Sequence, residues 1–116
     1  MDFNFYFTHE DNSIMEVALE GELMEKHQAQ NLLNELEIRI NPSNNKIILN
    51  LQKLKYLNSS GLNVLINILT KCRNAGGEVV VCCLSEKVNQ LFLITKLNSV
   101  FKVSNSSKEA LEYFKS

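Results

Sequence analysis

The sequence predicts an α/β domain built on a mixed, mostly parallel sheet of four to five strands, opened by a β-hairpin and covered by about four helices. Three observations carry that prediction. The chain opens with two short runs compatible with half-buried strands, the first alternating with a period of two. Helix-period segments then alternate with short, continuously apolar runs of the kind found inside parallel sheets. Such alternation requires crossover connections, and crossovers make parallel neighbours. The 116 residues read as one domain, 1–116, large enough to bury a core without metals or disulfides.

Phe3, Phe5 and Phe7 alternate with Asn4, Tyr6 and Thr8, which gives a strand with one buried face. Glu10-Asp11-Asn12-Ser13 is a turn by composition, and Ile14 to Leu19 is the returning strand, ended by Gly21. From Lys26 the period becomes helical, with Ala29, Leu32, Leu33, Leu36 and Ile40 on one face. Pro42 disfavours helical geometry in Asn41, so the helix stops there and residues 41–45 form a loop. Ile47-Ile48-Leu49 reads as a short central strand, followed by a loop carrying Leu54, Tyr56 and Leu57.

A second helix opens at Asn58-Ser59-Ser60-Gly61. Leu62, Leu65, Ile66 and Leu69 give one apolar stripe, and Val64, Ile68 and Cys72 nearly give another, so this helix packs on more than one side. Asn74-Ala75-Gly76-Gly77 stops it. Val79 to Leu84 is a buried strand, and Ser85-Glu86 opens a helix that turns Val88, Leu91 and Phe92 inward. Val100 to Val103 is a closing strand. Ser106-Ser107-Lys108-Glu109 caps a last helix with Ala110, Leu111 and Phe114 on its core side.

Composition narrows the function classes. The hydrophobic fraction of 45% and charged fraction of 22% are those of a folded globular chain. Twelve basic and thirteen acidic residues nearly cancel, so no net field draws the chain to nucleic acid or an anionic membrane. Lys53 and Lys55 are the nearest approach to a basic cluster and read as a solvated loop. Met1-Asp2-Phe3-Asn4 lacks the plan of a signal peptide, and no apolar run reaches the length of a membrane span. The expectation is a cytoplasmic protein with no direct membrane insertion and no nucleic-acid partner.

Cys72, Cys82 and Cys83 have no disulfide-framework spacing. The adjacent pair lies in an apolar run and reads as buried small hydrophobes in a reduced cytosol, with a redox or metal pair as the alternative. His9 and His27 stand at no metal-ligand spacing from any cysteine and read as surface residues. No nucleophile elbow surrounds Ser59 or Ser60, and no phosphate loop with a lysine follows the first strand. Glu35 and Glu37, two apart on a helix, diverge. Metal, cofactor and catalytic residues are therefore all expected to be none.

The segment best placed for chemistry is Tyr56-Leu57-Asn58-Ser59-Ser60-Gly61-Leu62, which joins a buried strand to the most apolar helix. In open α/β sheets, ligands meet the carboxyl ends of the strands. Asn and Ser are preferred caps and Gly permits a tight turn, so structure alone accounts for these residue types. The same geometry has a second use: unpaired N–H groups and partial positive charge at a helix start would solvate a phosphoryl group on a serine there.

Leu49-Asn50-Leu51, a five-residue gap, and then Leu57-Asn58-Ser59-Ser60-Gly61-Leu62 resemble the signature of STAS domains, whose best-known members are bacterial anti-sigma-factor antagonists. Gly21-Glu22-Leu23, Gly76-Gly77-Glu78 with its apolar run, and Val88-Asn89-Gln90-Leu91-Phe92 match further family patterns, so the likeness covers nearly the whole chain. The resemblance implies a non-enzymatic switch that binds an anti-sigma-factor kinase and so regulates transcription by partner switching. The kinase would phosphorylate the first serine of the motif, which by position is Ser59, and a serine phosphatase would reverse it. The implied partner-binding residues are Met24, Tyr56, Leu57, Asn58, Ser59, Ser60, Gly61 and Leu62.

Three residues depart from the family pattern: Asn58, Asn50 and Met24 stand where the family usually carries Asp. Two alternatives stay open beside the kinase-regulated antagonist. One is a non-phosphorylated STAS subunit of a signalling or lipid-transport assembly. The other is a small α/β enzyme with Ser59 as its nucleophile. Self-association is left between monomer and weak dimer.

Overall fold

A computed structural model describes residues 2–11 and 13–115. Five strands lie in one sheet in chain order: β1 (Phe3–Asp11), β2 (Ile14–Leu23), β3 (Lys46–Leu57), β4 (Glu78–Cys82) and β5 (Lys102–Ser104). β1 pairs antiparallel with β2, and each later pair is parallel. The helices are α1 (Gln30–Arg39), α2 (Ser59–Asn74), α3 (Glu86–Ile94) and α4 (Ser107–Lys115), with a short 3-10 turn at Lys26–Ala29 leading into α1.

Right-handed crossovers along a sheet whose strands advance in one direction put every crossover helix on the same face. Accordingly α1, α2 and α3 share the larger core, through residues such as Leu32, Leu36, Leu65, Ile68, Val88 and Phe92 against Ile47, Leu49, Val79 and Val81. α4 covers part of the opposite face, setting Ala110, Leu111 and Phe114 against Ile14, Ile48, Val80 and Cys82. The alternation of residues between these two clusters is why the runs 47–49 of β3 and 79–82 of β4 are apolar without interruption.

Several boundaries differ from the sequence expectation, each for a local reason. Gly21 does not end β2; the strand continues to Leu23, and Gly21 (φ +97°) sits beside a register irregularity. A Cβ there would stand 2.0 Å from the Asp2 carbonyl oxygen, so only glycine fits. The loop expected around Leu54, Tyr56 and Leu57 is instead the second half of a 12-residue β3. β3 carries two more residues than β2 across the pairs Ala18↔Asn50 to Leu23↔Leu57, so its inward residues fall at Leu51, Leu54 and Leu57, three apart rather than two. All three are fully buried.

β4 stops at Cys82 rather than Leu84, because Cys83 takes a left-handed backbone (φ +64°). The closing strand begins at Lys102; Phe101, buried ahead of it, packs its ring 5.8 Å from that of Phe92. Of the turn expected at Glu10-Asp11-Asn12-Ser13, Glu10 and Asp11 belong instead to β1, and Asn12 lies outside the described residues, as does the side chain of His9. Caps agree with the sequence: Ser85 Oγ accepts from Val88 N at 3.2 Å, and Ser106 Oγ accepts from Glu109 N at 3.1 Å. Gly76 (φ +87°) ends α2 as expected.

One polar group lies within the sheet face under α4. Glu16 is 9% exposed. Ser107 Oγ donates to its Oε1 and Asn50 Nδ2 donates to its Oε2 at 3.1 Å, so β2, β3 and α4 meet on one carboxylate. Asn50→Asp would remove a donor and place a second carboxylate against the first. The expected loss at neutral pH is about 1–3 kcal/mol in urea unfolding. Like charges hold a folded-state carboxylate pKa above its unfolded value, so the variant should recover stability as pH falls and lose it as pH rises through that raised pKa.

Candidate functional site

The site is built where the end of β3 turns into α2 beside the end of β2. Asn58 is extended (φ −108°, ψ −165°) and forms the N-cap. Its Oδ1 accepts from Gly61 N at 3.1 Å, and its carbonyl accepts from Leu62 N at 2.8 Å. Its Nδ2 donates to the Met24 carbonyl at 2.9 Å, and its backbone N–H donates to the Leu23 carbonyl at 3.4 Å. One side chain thus caps a helix and ties that helix to the strand beside it.

Gly61 lets the two elements approach. A Cβ there would stand 2.3 Å from the Leu23 carbonyl oxygen and 2.7 Å from Leu57 Cβ. The loop after β2 is ordered in turn by Gln28, whose Oε1 accepts from Met24 N at 2.8 Å and Glu25 N at 2.9 Å. Its Nε2 donates to the Glu22 carbonyl at 3.2 Å.

The eight residues expected at a partner surface divide into two groups. Ser59 and Ser60 are exposed on the first turn of α2, with Met24, Tyr56 and Asn58 partly exposed around them. Leu57, Gly61 and Leu62 are buried and support the turn from beneath. The apolar loop surface expected from Leu54 and Leu57 is absent because both side chains point into the main core.

Helix geometry leaves the N–H groups of Ser59 and Ser60 without intrahelical acceptors. The first turn of α2 holds no acidic residue, while its last turn carries Lys71 and Arg73. The positive end of the helix dipole is therefore not neutralised by its own side chains. An anionic group on either serine would meet N–H donors rather than carboxylates of this turn.

Sequence reasoning missed five contributors. Lys26, Asn63 and Asn67 line a cleft of about 270 Å³ with Ser60 and Val64. Asn63 and Asn67 sit three and seven residues beyond Ser60, a spacing that places all three on one helix face and could have been read. The Lys87 ammonium lies 4.8 Å from the centre of the Tyr56 ring, a cation–π contact joining α3 to β3 that no local pattern signals. Gln28 follows Glu25 at capping-box spacing, which was a readable signal.

Other candidate groups lie elsewhere. Cys72 is buried, and that burial, with Glu78 adding a smaller push, raises its thiol to about 12, which keeps it protonated and inert. His27 is exposed, 3.9 Å from Glu25. Glu35 pairs with Arg39 and Glu37 with Lys71, so the two carboxylates do diverge. Among the described residues, no group of three or more His, Cys, Asp or Glu side chains gathers to hold a metal, and no helix is long and apolar enough to cross a membrane.

A STAS domain family model matches residues 8–110. BtrV of Bordetella bronchiseptica, assigned as an anti-sigma factor antagonist, is 33% identical over 87 residues, 75% of each chain. A Thermotoga maritima relative of the same assignment is 32% identical over 73 residues, 63% of this chain and 65% of its own length. In three dimensions the chain is similar to the Bacillus anti-sigma factor antagonist SpoIIAA. The TM-score is 0.74 for its unphosphorylated form at 16% identity, covering 97% of this chain and 98% of that one. It is 0.73 for the phosphorylated form at 17% identity, covering 96% and 99%.

The double duty of Asn58 can be measured. Asn58→Ala loses both the cap and the tie to Met24, and should lower the unfolding free energy by about 1–2 kcal/mol. Asn58→Asp keeps the cap, with a charge that the helix start favours, but sets a carboxylate oxygen against the Met24 carbonyl in place of the donor, so its loss should be the smaller of the two. Urea titration of the three proteins checks the order; equal loss in both variants would show that the tie to Met24, not the cap, carries the energy.

Proposed function

The chain belongs to the STAS domain family, and on that premise we propose that it is an anti-sigma factor antagonist that binds an anti-sigma-factor kinase and is released by phosphorylation of Ser59. The observation that carries this reading is the exposure of Ser59 on a helix start with unpaired N–H groups and no neighbouring acid in the turn. Phosphorylation would add about −1.5 to −2 charges at neutral pH. The free N–H groups would solvate that charge on this chain. A partner docked on Met24 and Tyr56 would have to desolvate it, and would leave.

The protein acts in this reading as substrate and ligand, not as catalyst. The kinase supplies ATP chemistry, and a serine phosphatase restores the binding form. The proposed setting is the cytoplasm. The docking surface is the exposed set Met24, Tyr56, Asn58, Ser59 and Ser60, held in shape by Leu57, Gly61 and Leu62.

A second reading, a STAS binding module that is never phosphorylated, is favoured by the neutral residues Asn50, Asn58 and Met24 at positions where the family pattern has acids. The two readings separate in one experiment. With its cognate kinase and ATP, the antagonist should gain one phosphate by intact mass, and Ser59→Ala should gain none. Ser59→Asp should bind the kinase at least about tenfold more weakly by calorimetry, about 1.4 kcal/mol. Stable binding without phosphate uptake supports the second reading, and equal affinity of wild type and Ser59→Asp overturns charge exclusion.

A further inference from the structure

Adjacent residues of a strand project to opposite faces. Cys82 ends β4, and Cys83, just beyond it, leaves that pattern. Cys82 is fully buried beneath α4 with Ile48, Val80 and Ala110, and the left-handed backbone of Cys83 folds its side chain back onto the same cluster. The two sulfurs stand 3.3 Å apart, with Cys83 Sγ donating to Cys82 Sγ. A left-handed non-glycine residue costs about 1–2 kcal/mol, and glycine would occupy this turn more easily.

We propose that Cys82 and Cys83 form an oxidation site for hydroperoxides, in which Cys83 is the reacting thiol and Cys82 the resolving one. Cys83 is partly exposed and Cys82 is sealed, so the oxidant meets Cys83 first. Burial, reinforced by the Cys83 contact and by Glu16, raises the Cys82 thiol well above its ordinary range, so Cys82 is not the thiol that reacts first with the oxidant.

The chemistry balances in two steps. The Cys83 thiol gives up its proton and its sulfur attacks one peroxide oxygen; an S–O bond forms, the O–O bond breaks, and the departing alkoxide (hydroxide, for hydrogen peroxide) takes up the thiol proton and leaves as the alcohol (or water). The Cys82 thiol then gives up its proton and attacks Cys83 Sγ; an S–S bond forms, the S–O bond breaks, and the hydroxyl leaves with that proton as water. The peroxide is reduced by two electrons and the two thiols are oxidised to one disulfide. Neighbouring Cα atoms lie about 3.8 Å apart, below the span of roughly 4.4–6.8 Å usual for a disulfide. The bond is therefore strained and readily reduced by thiols, which makes the modification reversible.

The test is equimolar hydrogen peroxide followed by alkylation with N-ethylmaleimide in denaturant. Untreated protein should take up a maleimide on each of Cys72, Cys82 and Cys83. Treated protein should label at Cys72 alone, with the Cys82–Cys83 peptide lighter by two hydrogen atoms, and dithiothreitol should restore full labelling. In Cys82→Ala, Cys83 should instead be trapped as a sulfenic acid by dimedone. Full labelling of treated wild type overturns the proposal. So does a disulfide mapped to Cys72 or between molecules, or dimedone capture at Cys83 while Cys82 is present. The wild-type arms decide the question even if the Cys82 variant does not fold.

Discussion

The close approach of the first turn of α2 to the end of β2 is the constraint on which the site depends. Gly61 has no room for even a methyl group against the Leu23 carbonyl, and Asn58 uses both halves of its amide to bridge the same gap. With Leu57, Gly61 and Leu62 fixed below, the first turn of α2 turns Ser59 and Ser60 outward. A helix start held by backbone contact rather than by long side chains keeps these hydroxyls in a defined geometry, which is what recognition by another protein requires.

Much of this was legible in the sequence. α1, α2 and the first halves of β3 and β4 follow from periodicity, because each buries a face against a regular neighbour. The start of α2 was legible down to the cap, since Asn-Ser-Ser-Gly has few uses besides opening a helix tightly. The second half of β3 was not. Its irregular register spaces Leu51, Leu54 and Leu57 by three, which is neither the strand period nor a sustained helical one, so the pattern alone reads these buried residues as an exposed loop. The contribution of Lys87 was equally hidden, because α3 and β3 meet only in the folded chain. Gln28 and the Asn63–Asn67 pair were readable from spacing but carry no meaning until the loop after β2 is placed.

The amides at positions 50 and 58 share a logic. Each donates to an oxygen that a carboxylate would repel: Asn50 to the Glu16 carboxylate, Asn58 to the Met24 carbonyl. Each also accepts from the backbone, from Gln52 N at 3.0 Å and from Gly61 N. The departures from the family's acids are therefore not vacant positions. They exchange negative charge for bonds that hold strands and helix together, and Asn needs no partner cation to do so.

β4 ends its pairing opposite Asn50, so from Leu51 onward β3 has β2 on one side and no strand on the other among the described residues. An unpaired strand border is a template on which another molecule's backbone can add, the first step of uncontrolled aggregation. The outward residues of that stretch, Gln52, Lys53 and Lys55, are exposed and two of them are charged. An approaching strand would have to strip water from two ammonium groups before its first hydrogen bond formed. Lys53 and Lys55, the nearest approach to a basic cluster in the sequence, thus put charge along the stretch of β3 that no further strand covers.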